Sequence, residues 1–502
     1  MRDSQHIVRR QHSHWRKVSF ACLYALLTML PFAHAQIPYR LTATNPDSSV
    51  QRSREFTTSV QTLQSEVATI ESESGPFDRQ LLEPLGSLAR LHLENEDPQT
   101  AESIFEQQLQ ILRISDGLYS AEQIPIIETL LEVAATANDW QKSNDSLEYL
   151  SWLYQRDTSL SPQDKLKGMG KISEWHLIAL GKDLSEREAF HLVELAKNEN
   201  QISKVAEQLY SANNIEIVPY IYNQALADLY IALAITITDL TSQELILLTE
   251  GISNRPNVLS GLSSTSLRTT ADVEAMYGSI ASTVIERSFR KNMRESFEKL
   301  ERIKAIYVNE GDVEAEAMAS LYLGDSVLMR QQFEHRPSSF AGRRRGTSSA
   351  GSAMTHYRDA FEKLAASGTE DAVLAAFTAC PVLLPLASFE SRLQPHTEHC
   401  QTTNADGTIN LGEYKLSSTV IPGIEGTITS EEPRIEASVV FDVQANGQIN
   451  KKDIITIIPD DTYSRVQVRK LLDITQFRPA MIDGAAVSTQ NLRMRISIPS
   501  DD

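Results

Sequence analysis

The chain is poor in the residues that most often announce chemistry. It holds three cysteines and eleven histidines in 502 residues. The histidines beyond the first 35 positions stand at 92, 176, 191, 335, 356, 396 and 399, scattered over separate segments. There is no Gly-x-Ser-x-Gly, no Gly-x-x-x-x-Gly-Lys-Ser/Thr and no His-Glu-x-x-His. That removes the motif-level argument for a serine hydrolase, a P-loop enzyme or a zinc peptidase. His396 and His399 adjoin Cys400, but His-x-x-His-Cys fits no standard zinc spacing. We therefore expect no catalytic residue, no metal and no cofactor. Basic charge is also short: Lys+Arg is 47 against Asp+Glu 66, a net of -19. Such an acidic chain disfavours broad binding to nucleic acid or to an anionic membrane.

Long apolar runs are rare too. The longest candidate, Val18 to Phe32, falls short of the ~20 residues that span a bilayer. It follows a basic stretch (Arg2, Arg9, Arg10, Arg16, Lys17) and precedes Ala33-His34-Ala35. That order predicts a secretory signal over 1–35, cut after Ala35, and export to the periplasm. The alternative is an uncleaved inner-membrane anchor facing the periplasm; membrane contact is expected only in that case. Cys380 and Cys400 then form an even pair closing a short loop. In an oxidising compartment such a bridge contributes about 3 kcal/mol.

What is plentiful is helical patterning. Residues 36–55 are polar and read as a flexible lead-in, and apolar spacing at Phe56, Val60, Leu63, Val67 and Ile70 predicts a first helix ended by Gly75-Pro76. Leu85, Leu88, Ala89 and His92 then fit the first helix of a tetratricopeptide-like hairpin. Asn95-Glu96-Asp97-Pro98 makes its turn, and Ala101 and Phe105 take the small and aromatic positions of the second helix. Small residues are needed where two helices cross closely. Ile127, Leu130, Leu131 and Ala134 repeat the first pattern; Ser143, Leu147 and Leu150 repeat the second. A later unit places Leu323-Gly324 and Val327 on one helix and Ala353, Tyr357, Ala360 and Phe361 on the next. Between them lies a basic loop with Arg343-Arg344-Arg345. The stretch 160–310 reads as helical but eroded, with one long charged helix from Val273 to Tyr307. Trp140, Trp152 and Trp175 are expected to fill gaps between helices. The helical-repeat domain is expected over 56–400, closed by Pro381, Pro385 and Pro395, with a linker over 401–430.

The tail changes period. Ile435, Ala437, Val439, Phe441 and Val443 alternate as a half-buried strand does. Asn446-Gly447 signals a hairpin whose two turn residues take positive φ. Ile449 to Ile458 gives a second strand. Tyr463 to Leu472 gives a helix capped by Asp461 or Thr462, with Val466, Val468, Leu471 and Leu472 toward the sheet. Val487 to Ile498 gives the last strand. Within this ββαβ pattern stand Gly447, Phe477-Arg478-Pro479-Ala480, and Asp483-Gly484 followed by Val487. These positions resemble the C-terminal domain of the TonB energy-transducer family, over 431–502. The long Pro-Glu/Pro-Lys spacer of the true transducer is absent.

The resemblance implies a small α+β periplasmic module of a Gram-negative bacterium that catalyses nothing and accepts an added strand from a partner. It places partner contact on the final strand, at Ser488, Gln490, Leu492, Arg493, Met494 and Arg495. Arg478 is expected to organise its own loop. The fold expected is thus multidomain: a mainly α, tetratricopeptide-like solenoid followed by the ββαβ module. The function expected is an adaptor whose partners are envelope proteins, an outer-membrane receptor or an inner-membrane motor complex among them, with no nucleic acid. Two alternatives stand beside it: a membrane-anchored energy transducer, and an envelope hydrolase with unrecognised carboxylates, which predicts a deep acidic pocket.

Overall fold

The structure is a computed structural model that describes residues 46–137, 139–181, 188–237, 270–335, 350–386, 388–393, 404, 406–415, 434–482 and 484–499. The expected signal segment, the basic loop of Arg343-Arg344-Arg345, and Cys400 and Asp483 lie outside these residues. The fold is mainly helical with a small C-terminal sheet region. It divides into two compact units, one within His34–Glu174 and one within Trp175–Thr419 and Ser430–Asp502. The boundary between the units, at Glu174/Trp175, falls inside the helical domain expected over 56–400.

The first unit opens with α1 (Pro46–Ser74). This helix begins inside the expected lead-in, which is thus partly helical. Gly75, at φ 96, ends it, and its N–H donates to the Glu71 carbonyl at 3.0 Å. A hairpin follows, α2 (Leu82–Glu94) and α3 (Pro98–Ser115). Asp97 caps α3 by accepting the Thr100 N–H at 3.2 Å, with Pro98 in the first turn, where its missing N–H costs nothing. Ala89, Ala101 and Phe105 pack as one cluster, as their spacing predicts. His92 takes a packing position: its ring meets Phe56 edge-on and its Nδ1 lies 3.0 Å from the Asp97 carboxylate. The next hairpin is α4 (Ile124–Thr136) and α5 (Trp140–Arg156), with Asp139 capping α5. Helix α6 (Pro162–Gly181) comes next. Tyr154 of α5 lies against Gly168 so closely that a Cβ there would meet the ring at 2.0 Å. A small residue at the crossing is what brings the helices together.

The second unit contains α7 (Glu188–Tyr210), α8 (Val218–Ile237), α9 (Thr270–Glu310), α10 (Val313–His335), α11 (Ala350–Ala366) and α12 (Asp371–Thr378). Helix α9 covers the predicted Val273 to Tyr307. Helix α8 is apolar on almost every face in its C-terminal half and correspondingly buried from Ala225 through Ile235. Helices α10 and α11 pair through Gly324, where a Cβ would sit 2.4 Å from the Tyr357 ring. The sequence marks both residues as hairpin positions.

The sheet region departs from expectation at its edges. Its strands are β1 (Val382–Leu384), β2 (Ile409–Lys415), β3 (Arg434–Val443), β4 (Ile449–Ile458), β5 (Gln476–Arg478), β6 (Ala480–Ile482), β7 (Ala485–Val487) and β8 (Thr489–Pro499). Helix α13 (Thr462–Ile474) follows β4, capped by Asp461, whose carboxylate accepts the Ser464 N–H at 2.7 Å. The four-stranded sheet runs β2-β8-β3-β4, with β1-β5 and β6-β7 as separate pairs. The segment expected as a linker thus supplies β2, and the end of the expected helical domain supplies β1. The hairpin between β3 and β4 uses a three-residue loop closed by the Gln444 N–H on the Gln448 carbonyl. Among its residues Gly447 alone has positive φ, at 77, not both Asn446 and Gly447.

Candidate functional site

The last strand is where sequence places the partner. Leu492 and Met494 are core, 0% and 5% exposed, and pack with Val439 and Phe441 of the buried β3 face. Arg493 donates from Nε to Ser438 Oγ at 3.0 Å and pairs with Asp406 at 3.0 Å. Ser488 Oγ accepts the Ala445 N–H at 3.1 Å, while Gln490 and Arg495 are exposed. Strand β8 is antiparallel to β3 on one border and parallel to β2 on the other. Ile409 stands opposite Leu492, Asn410 opposite Arg493, Glu413 opposite Arg495 and Lys415 opposite Ser497. The border assigned to a partner strand is therefore occupied by this chain's own β2. We correct the assignment of Leu492, Arg493, Met494 and Arg495 as a strand-accepting edge; Ser488 and Gln490 lie ahead of the first β2 pairing, at Leu492. The physical reason is local: Asp406 accepts both the Thr408 N–H and hydroxyl, turning the chain just before β2. Gly412, at φ 86, then absorbs a bulge in the ladder.

The motif residues have a different role from the one expected. Phe477 and Arg478 are 2% and 3% exposed. Arg478 forms a two-pronged pair with Asp325 of α10, Nε to Oδ1 at 2.9 Å and Nη2 to Oδ2 at 2.5 Å. Tyr357 of α11 donates its hydroxyl to the same carboxylate at 2.9 Å, and the guanidinium lies over the Tyr322 ring. Burial works against the Arg478 charge, yet Asp325 outweighs it and the pKa stands above its ordinary value. Arg478 thus fastens the sheet region to the helices beneath it instead of ordering only its own loop. Gly447 is part of the same joint. Its carbonyl accepts the Phe477 N–H at 3.1 Å, and a Cβ on it would lie 2.1 Å from the Phe477 oxygen. Pro479 is buried beside them, and Gly484 faces the Phe361 ring of α11. Strand β1 pairs with β5, Val382 opposite Arg478, and completes the seam.

One border of the sheet stays open among the described residues. Strand β4 pairs with β3 alone. Its first half carries Lys451, Lys452 and Asp453 and one register shift, between Asn450 and Asp453, devices that discourage edge pairing; a second shift falls at Ile455. Lys451 reaches Asp442 at 2.9 Å, and Lys452 reaches Asp473. The second half, Ile454-Ile455-Thr456-Ile457-Ile458, has no charge and is rich in β-branched residues. Ile457 is buried, but Ile455 and Ile458 are 53% and 68% exposed. On α13, Val466 is exposed instead of facing the sheet as expected, whereas Val468, Leu471 and Leu472 are buried.

Groups with perturbed titration lie elsewhere. His176 and His191 are buried with their Nδ1 atoms 3.1 Å apart. Burial first, and His191 second, push the His176 pKa down to about 3. Glu132 is pushed up to about 7 by burial and by Glu128, against the pull of Lys171. No group of three or more potential metal ligands occurs among the described residues. A small cavity lies between α8, α9 and α10, lined by Tyr222, Leu226, Leu300, Tyr322, Asp325 and Met329. It is apolar, and its one carboxylate is the one tied to Arg478; it is not the deep acidic pocket the hydrolase alternative predicts. Cys380 is in a disulfide, and the chain's other cysteines lie outside the described residues. Among the described residues no helix is long and apolar enough to cross a membrane.

The sheet joint and the helical hairpins define the class: a mainly α-helical chain with an integral α+β terminal module. No family model and no curated protein matches it. Among solved structures it is similar to a circular tandem repeat protein with novel repeat topology and enhanced subunit contact surfaces. Identity is 13%, covering 65% of this chain and 74% of that one, with a TM-score of 0.22. A score that low carries no argument about fold or role.

Proposed function

We propose that this chain is a non-enzymatic adaptor of a Gram-negative cell envelope, with tetratricopeptide-like hairpins and a TonB-like terminal module, acting in the periplasm. One observation carries the reading: among the described residues the outer border of the second half of β4 has no pairing strand, and the segment is uncharged and β-branched, with Ile455 and Ile458 exposed. An edge of that kind takes an extended segment by completing its backbone hydrogen bonds. The partner is an envelope protein that offers such a segment, and strand addition falls on β4, not on β8. The fastened module speaks against the transducer alternative, which needs a terminal domain free to travel on a long spacer.

A photoreactive residue placed at Thr456 in cells should capture a protein partner, and one at Gln490 should not. Capture at Gln490 without capture at Thr456 would overturn the reading. Mass spectrometry of the N-terminus separates the two compartment alternatives: a chain starting at Gln36 excludes the anchored transducer.

A further inference from the structure

The first unit carries a surface that the β4 reading does not use. Trp152, expected to fill a gap between helices, is only half-buried. Tyr119 stacks on it with ring centroids 4.7 Å apart and 25° between planes, and Tyr149 lies beside it at 5.7 Å and 21°. Two guanidiniums flank this ladder: Arg113 lies 4.8 Å over the Tyr149 ring and Arg156 lies 5.8 Å from the Trp152 ring. Ile114, Leu118 and Tyr119 beside them are 57%, 54% and 50% exposed. Tyr149 is held from behind, its hydroxyl donating to Gln123 at 2.7 Å, so the ladder is preorganised. Binding hot spots are enriched in Trp, Tyr and Arg.

The charges say what kind of partner fits. In this unit Arg79, Lys142 and Lys171 each hold a carboxylate, on Asp116, Glu102 and Glu128. Arg113 and Arg156 hold none among the described residues; Arg113 donates only to the Tyr149 hydroxyl. Arg54, Arg90, Lys165 and Lys167 of this unit likewise hold no carboxylate among the described residues, but Arg113 and Arg156 are the two that lie over the rings of the ladder. Lone arginines over aromatic rings are positioned to take carboxylates in the planar, two-pronged geometry that guanidinium favours.

We propose that the Tyr119–Trp152–Tyr149 ladder is a docking site for an acidic peptide segment, its carboxylates on Arg113 and Arg156 and an apolar side chain against Leu118 and Trp152. The site is independent of β4. Glu148, exposed one turn before Trp152 on α5, opposes the incoming charge.

The test uses the full chain and a panel of fluorescein-labelled dodecapeptides with Leu or Phe flanked by Glu, set against the same peptides with Lys for Glu. Anisotropy should show binding of the Glu panel and none of the Lys panel. Arg113→Gln with Arg156→Gln should weaken it about tenfold or more. Raising salt from 50 to 500 mM should weaken it further, and Glu148→Gln should strengthen it. Circular dichroism checks that the arginine variants keep their helix content, and Trp152→Phe serves as a second, conservative probe. The proposal is overturned if no Glu peptide binds, if Lys peptides bind equally, or if folded arginine variants bind as well as the parent.

Discussion

Two parts of this molecule use the same groups to opposite ends. In the second unit Arg478 lies over Tyr322 and closes on Asp325, and both charged side chains are 4% exposed. In the first unit Arg113 and Arg156 lie over Tyr149 and Trp152, in the open, with no carboxylate among the described residues. Burial decides between the two outcomes. A guanidinium taken out of water has to carry its counter-ion with it, so it becomes a joint. One left at the surface keeps water as its partner and can exchange it for an incoming anion.

The comparison can be broken at the joint first. Asp325→Ala or Arg478→Ala should cost about 3–5 kcal/mol, because each leaves a charge buried without its partner. Arg478→Met with Asp325→Leu should cost less than either single change. Hydrogen exchange of the Phe477 amide, which donates to Gly447, reports the opening directly; single variants exchanging at the parent rate would deny the joint its role. Gly447→Ala comes next, at about 2 kcal/mol or more, since it adds a Cβ at positive φ against a backbone oxygen. Urea unfolding followed at the C-terminal unit measures it.

The buried histidines sharpen the contrast through pH. His176 has a native pKa of about 3, below its unfolded value, so the unfolded chain binds more protons between those values. Stability from this site is full above about pH 6.5 and falls as pH drops toward 3, by about 1.4 kcal/mol per pH unit at the steepest. His176→Gln should flatten that part of the urea-midpoint profile. The smallest effect on stability belongs to the exposed ladder. Arg156→Gln should change it by under about 1 kcal/mol while removing most of the acidic-peptide affinity; calorimetry beside the anisotropy titration checks both.

The hairpins were legible because close helix crossings demand particular residues at fixed spacing. Ala89, Ala101 and Phe105, or Gly324 and Tyr357, announce their contact before any coordinates exist. Strand β3 and the turn at Gly447 were legible for the same local reason, though the loop proved one residue longer. Strand β2 was not. It offers only Ile409 and Leu411 as an alternating pair, and its parallel neighbour lies some eighty residues away in the chain. Nothing local ties Asp325 to Arg478 or His176 to His191 either, and Trp152 looks like any other helix aromatic.

What the amino-acid order determined by itself is therefore what period and capping set: the repeat-like helical hairpins, the long strands β3, β4 and β8, and where Asp97, Asp139, Asp461 and the glycines stop or start them. What only the tertiary structure decided is which border of the sheet is closed and which arginines are buried. Those outcomes depend on distant segments competing for the same hydrogen bonds and the same shelter from water, and no short window of sequence contains both competitors.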